Sequence, residues 1–170
     1  TDIFARLLSQ KLSEILRYQV VVENRPGANG IIGSEIVAAS PPNGYTLLIT
    51  TNALTVNPSL YEKIPYDTLK AFVPITIGAT TYNLLAVHPS LPVKTVKDLI
   101  TLAKARPGQL SFASGGIGQP SHLAGELFRL KAGVSIVHIP YKGTGASIVD
   151  LLSGNVPLTF SSIPSLLPYV

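Results

Sequence analysis

Apolar residues recur along this chain at two spacings, one typical of helices and one of buried strands. Spacings of three and four residues predict helices, and the first of them places Leu8, Leu12 and Ile15 on one face. The segments with this spacing are residues 2–17, 31–39, 95–105, 121–131, 144–152 and 163–169, with a single helical turn and a loop over 57–66. Short apolar runs predict strands over residues 19–23, 45–50, 73–78, 83–87, 110–113, 134–139 and 156–160.

The order of these segments predicts an α/β fold. Strands that are apolar on both faces and alternate with helices are typical of mostly parallel sheets flanked by helices. The alternation of strands and helices is interrupted around residues 78–83, where two predicted strands follow each other with only a short loop between them. We therefore expect a two-lobed protein, with residues 1–80 in the first lobe and 81–170 in the second. Both ends of the chain fall inside patterned segments, so we expect each lobe to be incomplete.

Composition narrows the classes of function. Charged residues make up 13% of the chain and apolar residues 46%, which excludes intrinsic disorder. The chain contains no run of 18 apolar residues, so the sequence predicts no membrane span. The net charge of +4 comes from dispersed basic residues, so we predict no nucleic-acid binding, and a small anionic ligand fits better. The absence of cysteine excludes disulfides and thiolate chemistry.

A glycine-rich loop is the most informative segment. Gly115, Gly116 and Gly118 follow a predicted strand and precede a helix that starts near Ser121. Glycines let several backbone N–H groups face one point, and a helix N-terminus adds more N–H groups, so this arrangement favours anion binding over an ordinary turn. It is not a standard nucleotide loop, because Ser121 stands at the third glycine position of G-x-G-x-x-G and no P-loop exists in the chain.

Two other polar segments carry weaker signals. Thr51 and Asn52 follow a predicted strand, so they are expected at a sheet edge where α/β proteins bind ligands. Their side chains could bind a carboxylate or simply cap a turn. Residues 24–33 hold three glycines beside Arg25, and we expect these residues to serve packing and to brace the loop rather than to bind a ligand.

The sequence contains no strong catalytic or metal-binding motif. His88, His122 and His138 lack zinc-site spacing, and no carboxylate pair stands out. We therefore expect no metal and no cofactor. Ser114 or Ser121 with His122 could form a nucleophile and base, which leaves a hydrolase or transferase as the alternative. The G-x-S-x-G motif of such enzymes is absent.

Four segments together resemble one known family. They are Val-Val-Glu-Asn-Arg-Pro-Gly-Ala-Asn-Gly at 21–30, Pro-Asn-Gly-Tyr-Thr-Leu-Leu at 42–48, Ser-Gly-Gly-Ile-Gly-Gln-Pro-Ser-His-Leu at 114–123 and Val-His-Ile-Pro-Tyr-Lys-Gly at 137–143. Their order and spacing resemble the Bug family, the periplasmic receptors of tripartite tricarboxylate transporters. The resemblance runs over essentially the whole chain.

The resemblance implies a periplasmic binding protein, not an enzyme. Such a protein is expected to be a two-lobed monomer that closes around a small carboxylate and delivers it to a membrane permease. Carried over residue by residue, the ligand-binding positions are Asp2, Thr51, Asn52, Ser114, Gly115, Gly116, Ile117, Gly118, Ser121 and His122.

One further binding position departs from the family pattern. Ser161 follows Phe160 where many relatives carry an aspartate that can meet a ligand amine. We therefore expect a plain carboxylate, or a ligand with a neutral tail, rather than an amino acid. The family's first strand and the Pro-Gly-Gly before Thr1 are also missing, which removes part of the first anion loop.

Overall fold

In the computed structural model, which describes residues 1–169, the chain forms two compact units. The first runs Thr1–Thr80 and the second Thr81–Val170. Equating these units with the two lobes of a receptor stays a prediction. No helix among the described residues is both long and apolar enough to cross a bilayer.

The first unit contains three helices. They are α1 (Asp2–Leu16), α2 (Ile31–Ala38) and α3 (Ala53–Leu60), with a 3-10 turn at Ala28–Gly30 before α2. Buried Asn57 ties this turn to α3, because its Oδ1 accepts from Asn29 Nδ2 at 2.7 Å and its Nδ2 donates to the Asn29 carbonyl at 3.2 Å. These two bonds hold the turn before α2 against α3, while the predicted packing role of the glycines in residues 24–33 stays a prediction.

The strands predicted for the first unit are wrong for this structure. Residues 19–23, 45–50 and 73–78 form no hydrogen-bonded ladder within residues 1–169, and the helical turn predicted at 57–66 begins earlier, as α3. A strand exists only where a neighbour accepts its backbone hydrogen bonds. Apolar runs predict burial, but Val73, Ile75 and Ile77 are 90%, 79% and 84% exposed.

The second unit follows the predicted order of elements closely. Its strands are β1 (Asn83–Val87), β2 (Ser111–Ser114), β3 (Val137–Pro140) and β4 (Leu158–Ser162). Its helices are α4 (Val96–Ala105), α5 (Pro120–Ala132), α6 (Thr144–Leu152) and the short α7 (Ile163–Leu166), which runs into a 3-10 turn at Leu167–Tyr169.

The four strands form one mixed sheet in the order β1-β4-β2-β3. β2 is parallel to both β3 and β4, whereas β1 is antiparallel to β4. The predicted α/β class is therefore confirmed, with β1 as the antiparallel exception. Phe112 pairs with Leu158 and Ala113 with Thr159, and this pairing ends two residues before Gly115 on one strand and Ser161 on the other.

Helices cover both faces of this sheet. Leu85 and Val87 of β1 pack against the larger core cluster, which includes Phe112 and residues of α4 and α5. Ala86, between them, packs instead against Ile148, Leu151 and Leu166 of α6 and α7. Because side chains alternate between the faces of a strand, α4 and α5 lie on one face and α6 and α7 on the other. The helices α5 and α6 thus leave the sheet on opposite sides.

A capping box starts α4. Thr95 Oγ1 accepts from the Asp98 N–H at 3.1 Å, and Asp98 Oδ2 accepts from the Thr95 N–H at 2.9 Å. We expect Thr95→Ala to lower the free energy of unfolding by about 1 kcal/mol, because it removes one acceptor from the helix start. Urea denaturation would measure this loss. Thr95→Ser is the matched control, and equal losses in the two variants would contradict a role for the cap.

Candidate functional site

The parallel strands of the second unit end at one edge of the sheet. β2 leads there into the glycine loop, which we define as Ser114–Gly118, and β3 leads through Tyr141 to Gly143 into α6. The connections after β2 and β4 depart toward opposite faces. In open α/β sheets the crevice for a ligand lies at such a switch point, outside the carboxyl ends of the strands.

Side chains of the loop and of α5 hold the glycine loop in one shape. Gly115 N–H donates to Ser121 Oγ at 3.0 Å, Gly116 N–H to Ser114 Oγ at 3.1 Å, and Gly118 N–H to His122 Nδ1 at 3.1 Å. The three glycine N–H groups thus have internal acceptors. Within residues 1–169, the Ile117 N–H has no acceptor and no side chain caps the first turn of α5, so these N–H groups can bind a ligand, as can the proton of the Ser121 hydroxyl.

The glycine loop also lies against the start of α6. A Cβ on Gly115 would stand 3.0 Å from Thr144 Oγ1 and 3.1 Å from Thr144 N. Gly116 has a φ of +134°, and a Cβ there would lie 3.2 Å from the Tyr141 carbonyl oxygen. Glycine therefore allows the approach of α6, whose N-cap residue Gly143 offers no side-chain cap. Two helix N-termini meet near one loop, and both favour negative charge.

Ser161 adds a buried hydroxyl to this edge. It is 1% exposed, and its Oγ has no hydrogen-bond partner among residues 1–169. It lies two residues beyond Thr159, which pairs with Ala113 of β2, and like Thr159 it faces away from the Phe112 cluster. A buried hydroxyl without a partner costs free energy, so a ligand that bonds it would gain from doing so.

Two stacked histidines lie beneath the glycine loop. Their ring centroids are 4.0 Å apart, and His138 also stacks on Phe112 at 4.9 Å. Burial, and then the neighbouring His122, lower the pKa of His138 to about 4. Burial also lowers the pKa of His122, against the opposing effect of Glu126. Both rings are therefore neutral at pH 7.

The pairing of serine and histidine differs from the one the sequence suggested. Ser114 Oγ bonds to His138 Nε2 at 2.6 Å rather than to His122, and Ser121 Oγ accepts from the Gly115 N–H. Ser114 is fully buried, so its hydroxyl supports the loop instead of facing a substrate. Sequence reasoning missed His138 as a site residue. Its only signal is its place in the strand after α5, and using that signal requires the strand order.

The first unit places its predicted residues in local contacts. Asp2 accepts from Asn24 Nδ2 at 2.7 Å and from Arg6 Nε at 3.0 Å, and these bonds, that of Asn24 first, lower the pKa of its carboxyl. Thr51 Oγ1 accepts from the Ala53 N–H at 3.2 Å, as a turn cap would. Asn52 is the N-cap residue of α3 but makes no side-chain cap bond.

The predicted positions of the first unit share no hydrogen bond, since within residues 1–169 none joins Asp2 to Thr51 or Asn52. The described residues also contain no group of three His, Cys, Asp or Glu side chains placed to hold a metal ion.

The second unit combines an α/β fold with a glycine loop at the carboxyl ends of its parallel strands. Residues 4–170 match the model of the tripartite tricarboxylate transporter family receptor, TctC. The chain belongs to this family, which confirms the resemblance read from its four segments. It also confirms the prediction of a receptor rather than an enzyme.

Known relatives cover the chain almost completely. The protein BugT of Bordetella pertussis is 40% identical over 172 residues, which is 100% of this chain and 53% of BugT. The structure of Rpa4515 from R. palustris with adipate is 39% identical with a TM-score of 0.94, over 99% of this chain and 56% of that one. MatC from Rhodopseudomonas palustris with bound malate is 25% identical with a TM-score of 0.88, over 98% and 57%. The chain thus spans about half the length of these relatives.

Proposed function

We propose that this chain is part of a periplasmic solute-binding receptor that captures a small carboxylate and delivers it to the permease of a tripartite transporter. In this proposal Thr1–Thr80 and Thr81–Val170 each supply part of one lobe, and the protein acts as a monomer. Family membership supports the receptor role. Two similar structures, one described as a periplasmic transporter and one as a periplasmic binding protein, support the proposed periplasmic location.

The glycine loop carries this proposal. It leads into the N-terminal end of α5 and lies against that of α6, at the carboxyl ends of the parallel strands, and no side chain caps the first turn of either helix. A carboxylate would take hydrogen bonds there from Ile117 and from the first turn of α5, and from the Ser121 hydroxyl. Such a site recognises an anion without needing a basic side chain, because the N–H groups and helix dipoles supply the positive potential.

Ser161 indicates which carboxylates fit. A serine can bond a neutral or anionic oxygen but cannot neutralise a ligand ammonium group. Two similar structures hold adipate and malate, both dicarboxylates without an amine. We therefore propose that the ligand is a dicarboxylate or a related acid with a neutral tail, and that Ser161 and the loop residues Gly115–Gly118 line its site, with Ser114 supporting the loop from within.

Thermal unfolding with a ligand panel tests the proposal. The panel contains adipate, malate, citrate, benzoate, aspartate and glutamate at fixed pH and salt. A ligand at about 100 times its dissociation constant stabilises the folded state by about 2.7 kcal/mol, which raises the melting temperature by several degrees. We expect such a shift from at least one of the acids that lack an amine.

The neutral diamide of the active acid is the matched control, and we expect it to give no shift because it carries no charge. Shifts from aspartate and glutamate alone would contradict the predicted ligand class. A cooperatively unfolding protein that responds to none of these acids would contradict carboxylate binding.

A further inference from the structure

Two imidazoles contact the glycine loop through hydrogen bonds. His122 Nδ1 accepts from the Gly118 N–H at 3.1 Å. His138 Nε2 lies 2.6 Å from Ser114 Oγ, which accepts from the Gly116 N–H at 3.1 Å. A neutral imidazole has one acceptor nitrogen, and a protonated one has none. The bond from Gly118 therefore requires an uncharged His122 ring.

The surroundings of the two rings keep them uncharged. Glu126 Oε1 lies 3.9 Å from His122 Nε2, but Glu126 is itself paired with Arg129 at 2.6 Å. Among the described residues, these two groups of α5 and the rings themselves are the charges that act on the pair. β2 contributes only Phe112 and Ser114, which carry no charge.

Tyr141, the first titratable residue after β3, directs its hydroxyl to α6 and not to the two imidazole rings. The Tyr141 hydroxyl donates to Asp150 of α6 at 2.6 Å. Burial is therefore the largest influence on each ring, and it lowers the pKa of both.

We propose that His122 and His138 are positioning residues, which hold the glycine loop in its ligand-binding shape through Gly118 and Ser114, and that protonation of His122 releases the loop at Gly118. This inference rests on the proposed function, because it gives the loop a ligand to bind. It assigns His122 an indirect role: one of its ring nitrogens accepts from the loop and the other faces Glu126.

Protonation affects the two contacts differently. A proton on His122 Nδ1 would face the Gly118 N–H, so two donors would oppose each other and the loop would lose that anchor. A proton on His138 Nε2 can be donated to Ser114 Oγ, while the Ser114 hydroxyl donates to the Gly116 carbonyl oxygen 3.3 Å away, so this contact survives protonation. The added charge on His138 would also repel a charge on His122, since the rings are stacked. His122 is therefore the more sensitive of the two positions.

A readout without ligand tests the contact itself. The Gly118 amide resonance of the full chain is followed by nuclear magnetic resonance from pH 7 to pH 4, together with the ring protons of His122. We expect the amide to shift along with the titration of the ring. In His122→Asn, whose Oδ1 can accept in place of Nδ1 but does not titrate, the same amide stays constant over this range. If the Gly118 amide resonance of the unmodified protein does not change while His122 titrates, the inference is wrong.

Binding provides the second test, with adipate as the probe in calorimetry. We expect His122→Leu, which has no acceptor, to bind adipate at least about tenfold more weakly at pH 7, and His122→Asn to recover most of that loss. Adipate itself gains protons toward pH 4, but it does so equally with every variant. The unmodified protein should therefore lose affinity more steeply than His122→Asn as the pH falls.

Controls separate this inference from the proposed function. His88→Gln changes a histidine that contacts Ser90 outside the loop, and it should keep the pH profile of the unmodified protein. If His122→Leu binds adipate as tightly as the unmodified protein, with the same profile, the positioning role is wrong. If no protein binds adipate or any panel acid, the proposed function fails, and the Gly118 amide still decides whether the histidines hold the loop.

Discussion

Replacing Phe112 by alanine is expected to lower the free energy of unfolding of the second unit by about 3–5 kcal/mol. Phe112 is fully buried in β2, and its ring contacts Phe160 edge-on with centroids 5.9 Å apart. Gly125 of α5 lies so close that a Cβ there would stand 2.1 Å from the ring. Neighbours held this tightly cannot collapse into the space left by the ring, so the cavity remains and most of the packing energy is lost.

Chemical denaturation followed by circular dichroism would measure this loss. Phe112→Leu keeps much of the volume and should cost less than half as much as the alanine variant. Tyr45→Ala, at a side chain that is 91% exposed in the first unit, should change little. A loss below about 1 kcal/mol for Phe112→Ala would mean that the core relaxes around this position.

Gly115→Val is expected to weaken carboxylate binding by more than about tenfold while leaving the second unit folded. The added side chain would enter the 3.0–3.1 Å space beside Thr144 Oγ1 and N and would push the glycine loop from the start of α6. Tenfold corresponds to about 1.4 kcal/mol, a modest loss for a site that depends on two aligned helix ends. Calorimetry with the most stabilising acid of the panel would measure it.

Two variants show whether this effect is local. Gly115→Ala needs a shift of only a few tenths of an ångström, so it should weaken binding less than valine does. Gly108→Asn replaces a glycine with φ of +73° and no atom within 4 Å of its Cβ position, and it should bind normally because Asn tolerates this backbone. Unchanged binding by Gly115→Val would place the ligand away from the loop.

The helices of the second unit could be predicted because their signals are local. Thr95 and Asp98 mark the start of α4 within four residues, and Gly133 ends α5 in the left-handed conformation. The strands of the first unit could not be judged in the same way. An apolar run such as residues 73–78 indicates a preference for burial, whereas a strand also requires a hydrogen-bonded neighbour that no local pattern specifies.

The candidate site also contains some features that the local sequence predicts and others that depend on how distant segments pack. The glycine loop and the start of α5 could be predicted, because the glycines, Pro120 and Ser121 are adjacent in sequence. The partner of Ser114 could not, because His138 lies 24 residues away and reaches it only through the pairing of β2 with β3. The close approach of Thr144 to Gly115 likewise depends on where α6 packs.

The stacked rings give this protein a built-in spectroscopic reporter. His138 lies between the faces of Phe112 and His122, and ring currents from both neighbours should displace its proton resonances from their usual positions. The chain has only three histidines and no tryptophan, so these signals stand in an uncrowded region of the spectrum. His88, which stacks in neither pair, supplies an internal reference. A change at the glycine loop could thus be observed through one imidazole, without any label attached to the protein.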